Sequence, residues 1–435
     1  MKNIKKIFVS FLLSLFIIFA MPLNTLATTN SDNKSSTTTN NNLPNLNNNY
    51  PIVMVHGLCG WGNTEMFNEN YWGGNTSLKE LLNDKGYTVF TPTIGPISSN
   101  WDRACELYAY LKGGTVDYGE AHSKKHGHAR YGRTYSGVYP QLGEYSAKNE
   151  LQKIHLFGHS MGGQTSRLLA KLLEQGDQDE INATGGKTSP LFTGNKHWID
   201  SITTLCTPHD GSTEAEMQDN FEPYVHQFFA AIAANAGLNS STTANFDLRL
   251  DQWGLKKNSN ESLDNYINRV FKSNIWKDTK DLSIWDLSLE GAKEFNIKVP
   301  ALNDIYYFSI SCSNTHKDLF SNYQIPNINM HPLMIKSSIA MGRYTQDEPN
   351  KVKVDSSWWE NDGLVPLISA IAPHEGSTDK IVNYNGNPQI GVWNYMGNID
   401  NIDHLEVIFQ HQLLYRNYLQ NKYISWAKLL YSLPK

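Results

Sequence analysis

A serine sits between two glycines in Gly158-His159-Ser160-Met161-Gly162, and far downstream follow Asp362, within Asn361-Asp362-Gly363-Leu364-Val365-Pro366, and His404, within Ile402-Asp403-His404-Leu405-Glu406. A hydroxyl, a carboxylate and an imidazole can together carry out acyl transfer. The imidazole removes the serine proton and the carboxylate orients the imidazole. Each residue also has a bland reading: Asn-Asp-Gly is strong turn chemistry by itself, and His404 is one of 14 histidines. What joins them is order and context.

The apolar run Lys153-Ile154-His155-Leu156-Phe157 leads into the serine, and Gly163 to Leu173 follows with leucines at helical spacing. Strand, sharp turn, helix is the arrangement that lifts a nucleophile clear of its own backbone, with glycines where the turn leaves no room for side chains. Further β-prone runs fall at Pro51 to Val55, Tyr87 to Pro92, Ile199 to Leu205, Ile305 to Ser311 and Ile381 to Tyr384, with helical patterns between several of them. The alternation predicts a mostly parallel sheet covered by helices on both faces, with functional groups on loops at the strands' carboxyl ends. The chain order Ser160, Asp362, His404 is that of the α/β-hydrolase fold.

A tetrahedral intermediate also needs main-chain amides aimed at its oxyanion. Met161, which follows the nucleophile, is one expected donor, and Leu58 in the glycine-loosened His56-Gly57-Leu58-Cys59-Gly60 loop is the other. Two stretches break the strand and helix rhythm, about 94–145 and 213–295, and are expected as insertions above the active-site edge. Within the first, His122, His126 and His128 crowd together some twenty residues after Asp102. That set has the donor chemistry for zinc, although solvated loop histidines are the commoner outcome of such spacing. Within the second, Phe221, Tyr224, Val225, Phe228, Phe229 and Ile232 recur at helical spacing as one apolar stripe.

The termini and composition narrow the setting. Lys2, Lys5 and Lys6, the apolar stretch Ile7 to Met21 and the small residues around Ala27 predict a secretory signal peptide over 1–27, hence an exported protein with no transmembrane segment. The Asn/Ser/Thr-rich stretch 28–49 is expected to be a disordered leader, and 50–435 a single domain with the two insertions. A formal net charge of −5 gives no sign of a nucleic-acid surface, and nothing points to an obligate protein partner. The four cysteines, Cys59, Cys105, Cys206 and Cys312, include no C-x-x-C pair and are expected as free thiols.

Several motifs together resemble the secreted lipases of Bacillus, Geobacillus and Staphylococcus. They include Pro51 to Gly57, Trp61-Gly62, Tyr71-Trp72-Gly73-Gly74 and Ser98 to Glu106. Gly113 to Gly119, His126 to Arg130 and Gly158 to Thr165 complete the set, so the likeness runs through essentially all of Tyr50 to about Ile408. The resemblance implies an α/β-hydrolase that cleaves carboxylic esters at lipid interfaces, with a triad at Ser160, Asp362 and His404. It implies a structural zinc ion on Asp102, His122, His128 and Asp286, leaving His126 as a neighbour, and a lid at the apolar stripe, hinged near Gly211 and Gly237. It also implies calcium, for which Glu406 matches one ligand. The expected Asp-Pro is replaced by His411-Gln412, which does not suit an oxygen-loving ion. Two other readings are a secreted binding protein that kept the scaffold without catalysis, and a zinc-dependent hydrolase. The latter finds no H-E-x-x-H and leaves the serine turn unexplained.

Overall fold

The computed structural model describes residues 46–63, 65–66, 69–220, 225–228, 230, 246–277, 279–410 and 415–435. The expected signal peptide and residues 28–45 of the leader therefore lie outside the described residues. Residues 45–435 form one compact unit. Among the described residues no helix is long and apolar enough to cross a membrane.

Eleven strands are described: β1 Ile52–Val55, β2 Val89–Phe90, β3 Gly114–Asp117, β4 Tyr131–Tyr135, β5 Ile154–His159, β6 Ile199–Leu205, β7 Tyr306–Ser313, β8 Thr315–Lys317, β9 Gln324–Pro326, β10 Ile381–Asn383 and β11 Trp393–Asp400. Seven build one parallel sheet in the order β10-β11-β7-β6-β5-β1-β2. The central strands β1, β5 and β6 are buried on both faces, which is why they read as unbroken apolar or β-branched runs rather than alternating ones. Two separate antiparallel hairpins, β3-β4 and β8-β9, stand apart from the sheet.

The strand β11 is absent from the runs that the sequence suggests. Asn394, Gly397 and Asn398 interrupt its apolar pattern, and its register against β7 slips between Tyr395 and Asn398 at a bulge where Gly397 takes φ 99°. The expected first insertion also begins later than 94. Helix Asn100–Lys112 buries Ala104, Cys105, Leu107, Ala109 and Leu111 in the same core as Leu169 and Leu172 of helix Met161–Gln175, so it is one of the helices that cover the sheet. Likewise helix Leu289–Lys298 leads directly into β7 and places Phe295 in that core. All four cysteines are free and buried.

The end of the asparagine-rich leader is part of the domain. The Asn48 amide donates to the carbonyls of Leu430 and Leu433 at 2.9 and 3.0 Å, and its oxygen meets buried His155 at 3.0 Å. An asparagine can serve a donor pair and an acceptor at once, so one side chain ties the start of the domain to the end of the C-terminal helix Arg416–Ser432 and to β5. Replacing Asn48 with alanine leaves buried partners unsatisfied and should cost roughly 1–3 kcal/mol. A urea midpoint unchanged in Asn48→Ala would show that this docking contributes nothing.

Candidate active site

Every strand of the sheet runs the same way, so β1, β5 and β6 end side by side. Val55 is level with Gly158, and His159 with Leu205. Ser160 is the first residue past β5, 7% exposed, with φ 55° and ψ −136°. That backbone conformation is costly for a residue with a side chain and persists only when its surroundings dictate it. They do so here: the Ser160 N–H donates to Leu205 O at 2.9 Å, and its carbonyl accepts from Gly163 N at 3.0 Å and Thr207 Oγ1 at 2.8 Å. The flanking glycines are sterically required. A Cβ on Gly158 would lie 2.4 Å from Gly163 N, and one on Gly162 would lie 2.1 Å from Val55 O.

Asp362 is fully buried in the Asn361–Pro366 turn, which Asn314 N holds beside the end of β7, and its Oδ1 accepts from the N–H groups of Leu364 and Val365 at 3.0 and 2.8 Å. Its Oδ2 lies 2.7 Å from His404 Nδ1, and the His404 N–H donates to the Asp362 carbonyl at 2.9 Å. His404 follows β11, so the carboxylate and imidazole come from different strand ends and are locked together by side chain and main chain. Ser160 and His404 line the same cleft. The three residues singled out in the sequence thus converge at one edge of the sheet.

The loop after β1 faces Ser160 closely. A Cβ on Gly57 would lie 2.5 Å from the Ser160 Cβ, so only glycine permits the approach. Among the described residues, the main-chain N–H groups of Leu58 and Met161 have no hydrogen-bond partner, whereas Gly57 N donates to Tyr71 Oη at 2.9 Å and Cys59 N to Pro96 O at 2.8 Å. Sequence reasoning missed what holds this loop. Arg103 is fully buried and donates to Gly95 O and Thr165 Oγ1, each at 2.9 Å, and to the His56 carbonyl. Burial pulls the Arg103 guanidinium down to about 10, well below its ordinary value but still charged at neutral pH. Tyr71 Oη meets His159 Nδ1 at 2.6 Å, which completes the support beneath the serine. Both residues occur in the quoted motifs, but nothing in the sequence assigns them this task.

The cleft, counted with the open space at its mouth, takes in about 860 Å³, and its walls include Leu58, Met217, Phe228, Ile284, Leu287 and Leu364. Among the described lining residues Glu214 is the one carboxylate, and burial pushes it up to about 7, opposed by Lys336. Of the apolar stripe, Val225 and Phe228 are described, and both are buried. Phe228 sets its ring 6.4 Å from Trp61, edge on. Phe221, Tyr224, Phe229, Ile232 and Gly237 lie outside the described residues. Gly211 adopts φ 84°, and a Cβ there would lie 2.6 Å from Ser288 O.

The histidine cluster gathers Asp102, His122, His128 and Asp281, not Asp286. His122 Nε2 lies 3.3 Å from Asp102 Oδ1 and 3.1 Å from Asp281 Oδ1, while His128 Nε2 lies 3.2 Å from Asp281 Oδ2. Asp286 is committed elsewhere: its Oδ2 accepts from the N–H of Asn100 at 2.5 Å, at the start of helix Asn100–Lys112. Burial pushes the Asp286 carboxyl up to about 7. The two aspartates stand five residues apart in one segment, and the Ile284-Trp285-Asp286 pattern drew attention to the wrong one. His126 is a neighbour, its ring 4.7 Å from that of His122.

The cluster fits a cation. Asp102 Oδ1, His122 Nε2, His128 Nε2 and Asp281 Oδ2 are buried and lack hydrogen-bond partners, yet they face one another. Ligands ~2.0–2.1 Å from a tetrahedral zinc ion stand ~3.3–3.4 Å apart, close to the separations found here. Two carboxylates and two imidazoles, neutral once they ligate, would carry the charge that a divalent ion offsets. Outer contacts fix the ligands: Gln252 Nε2 donates to Asp102 Oδ2 at 2.6 Å, Ser99 Oγ to Asp281 Oδ1 at 2.7 Å, and His128 Nδ1 meets Ala129 O at 2.9 Å.

Among the described residues, Glu406 joins no cluster of metal-ligating side chains. Glu406 Oε2 is buried without a hydrogen-bond partner, and burial with nearby Asp403 pushes the carboxyl up to about 8. Asp403 is spent on the main chain, accepting from Leu405 N, Glu406 N and His331 N. Among the described residues, these two side chains alone do not supply the six to eight oxygens calcium takes. His411 and Gln412 lie outside the described residues.

The family model described as "Lipase-like, C-terminal domain" matches residues 48–431. Lipase 1 of Staphylococcus aureus is 40% identical over 377 residues, covering 83% of this chain and 51% of that protein. The chain thus spans about half the length of the curated relatives it matches. Among solved structures, EstA from Clostridium botulinum is 45% identical with a TM-score of 0.83, covering 90% of this chain and 89% of that one. Staphylococcus hyicus lipase is 34% identical with a TM-score of 0.73, covering 91% and 98%. The α/β-hydrolase fold and the resemblance to staphylococcal lipases are both upheld, and the chain belongs to the lipase-like C-terminal domain family.

Proposed function

We propose that this chain hydrolyses carboxylic esters of lipid type through an acyl-enzyme on Ser160. The observation that carries this reading is that Ser160, on its strained turn, and His404, paired with Asp362 behind it, line one apolar cleft. His404 takes the Ser160 proton as Oγ attacks the ester carbonyl, and Asp362 holds the imidazole in the required tautomer. The developing oxyanion is met by the N–H groups of Leu58 and Met161, donors that need no rearrangement. Collapse of the intermediate returns the proton to the leaving alcohol through His404. Water, activated by the same imidazole, then releases the acid.

The apolar walls would take an acyl chain, and Phe228 would belong to a lid over it. Asp102, His122, His128 and Asp281 would hold zinc, which supplies positive charge that fixes the two irregular stretches to each other. A closed set of four protein ligands leaves the ion no position for substrate, so its role is structural.

Ser160→Ala should lower ester turnover about 10⁴-fold or more, and Asp362→Asn about 10⁴-fold, with folding intact. A serine-directed phosphonate should label Ser160 stoichiometrically. Turnover that survives complete labelling would sink the serine mechanism. For the metal, Asp281→Ala should lose bound zinc and Asp286→Ala should retain it, as read by metal analysis of purified protein. At free zinc about a hundred times its Kd, losing the site removes ~2.7 kcal/mol of stability, and the reverse ranking of the two variants would reject the assignment. For the lid, the rate on a short ester should rise once its concentration passes the solubility limit; smooth saturation through that limit argues against one.

A further inference from the structure

The residues between β7 and the Asp362 turn hold a feature that ester chemistry leaves unused. Leu319 and Phe320 at the tip of the β8-β9 hairpin are 92% and 95% exposed, and Ile328, just past β9, is wholly exposed. Three large apolar side chains in full contact with water within ten residues are a departure from ordinary surface composition. The tip is not slack chain. Asp318 Oδ2 accepts from Phe320 N at 3.3 Å, Ser321 N at 2.8 Å and Ser321 Oγ at 2.6 Å, while Asp318 N donates to Tyr323 O at 2.8 Å. These bonds fix the turn so that Leu319 and Phe320 stand outward.

The hairpin is also anchored to the candidate site. At its base, Asn314 N donates to the carbonyl of Asn361, next to Asp362, and Asn361 N donates to Thr315 Oγ1. The segment after β9 clamps the other partner's loop: Asn327 Nδ2 donates to Asn401 Oδ1, Asn329 Nδ2 to Asn401 O, and His331 N to Asp403 Oδ2, the residue before His404. Helix Pro332–Met341 continues the contact through Ser337 Oγ, which donates to Gly363 O, and it exposes Ile335 and Ile339 one turn apart.

We propose that Leu319, Phe320 and Ile328 are prongs that insert into a lipid surface and set the protein down with the Ser160 cleft beside that surface. The proposal rests on the ester-hydrolase reading for its purpose but not for its geometry. A lipid surface suits this feature better than a protein partner does. Isolated prongs on a fixed turn need no complementary surface in a fluid acyl layer, whereas a stable protein contact needs about 800 Å² of matched surface on each side. The charges alongside, Lys317, Lys336 and Arg343 against Asp318, leave the hairpin and helix weakly cationic in a chain of net charge −5, which suits neutral or mildly anionic lipid.

The test compares the full chain with Leu319→Asp/Phe320→Asp and, separately, Ile328→Asp. These side chains are solvent-exposed, so thermal unfolding should be unchanged. Partition onto dioleoylphosphatidylcholine vesicles, read by co-sedimentation, should fall about tenfold or more in the double variant. Hydrolysis of emulsified tributyrin should fall with it, while turnover of a short ester below its solubility limit stays at the parent value. Equal vesicle partition by parent and double variant overturns the proposal. So does a concentration-dependent dimer of the parent that the substitutions dissolve, which would make the face a self-contact. A parent that binds vesicles through these residues yet cleaves no soluble ester would refute the hydrolase reading and leave the lipid-binding surface standing.

Discussion

The backbone of Ser160 is the constraint on which the rest of the site depends. Its φ of 55° and ψ of −136° place the side chain at the carboxyl edge of the sheet, in a conformation that an isolated chain would abandon. The ends of the two neighbouring strands hold it there. β6 receives its N–H through Leu205, the loop after β6 donates to its carbonyl through Thr207, and the loop after β1 lies so close that Gly57 cannot be any larger residue. The strain is therefore supported by the parallel order of the sheet itself. Shifting β5 by one residue against its neighbours would both move the serine and break the packing of Ile154 to Phe157 on two faces.

One helix then distributes this constraint. Asn100 and Arg103 stand three residues apart on one helix face and both reach Thr165, whereas Asp102 projects from another face, so this one helix serves several parts of the site. The Asn100 side chain accepts from Thr165 of the helix that follows Ser160, Asp102 joins the histidine cluster, and Arg103 holds the carbonyls of Gly95 and His56. Asp286 sets its carboxylate on the N–H of Asn100, where the helix dipole favours negative charge. That explains a buried acid so near the cluster that does not belong to it. The candidate oxyanion loop, the serine helix and the cluster are thus braced against one rigid element.

Legibility in the sequence followed how local each signal was. The serine turn was readable because the strand, glycines and helix that make it are contiguous. Asp362 and His404 were readable because their order is fixed by topology. The strand β11 was not, since its bulge at Gly397 and its two asparagines erase the periodicity that marks a strand. Asp281 was missed because two aspartates share one segment, and only the fold decides which side chain turns toward His122 and His128. Arg103, Tyr71 and the docked Asn48 were hidden for a related reason. Their partners lie tens to hundreds of residues away, and no spacing within the chain announces a hydrogen bond across it.

The position of Asp281 bears on how the cluster and the cleft communicate. Ile284 and Leu287, which form part of the cleft wall, follow Asp281 by three and six residues. Between them and the cluster the chain is pinned by Ser283 N on Ile97 O and by Leu282 bridged to Ser98, a segment that leads straight into Asp102. An ion bridging Asp281 to His122 and His128 would hold this wall from behind, against the hairpin β3-β4 side of the molecule. Without it, two buried carboxylates would face each other across the gap, and burial with repulsion from Asp281 already pushes Asp102 upward. The wall of the cleft would then move with the cluster. An ion held by all four ligands would in this way bear on the shape of the cleft without touching a reacting atom, because Asp281 shares its segment with Ile284 and Leu287.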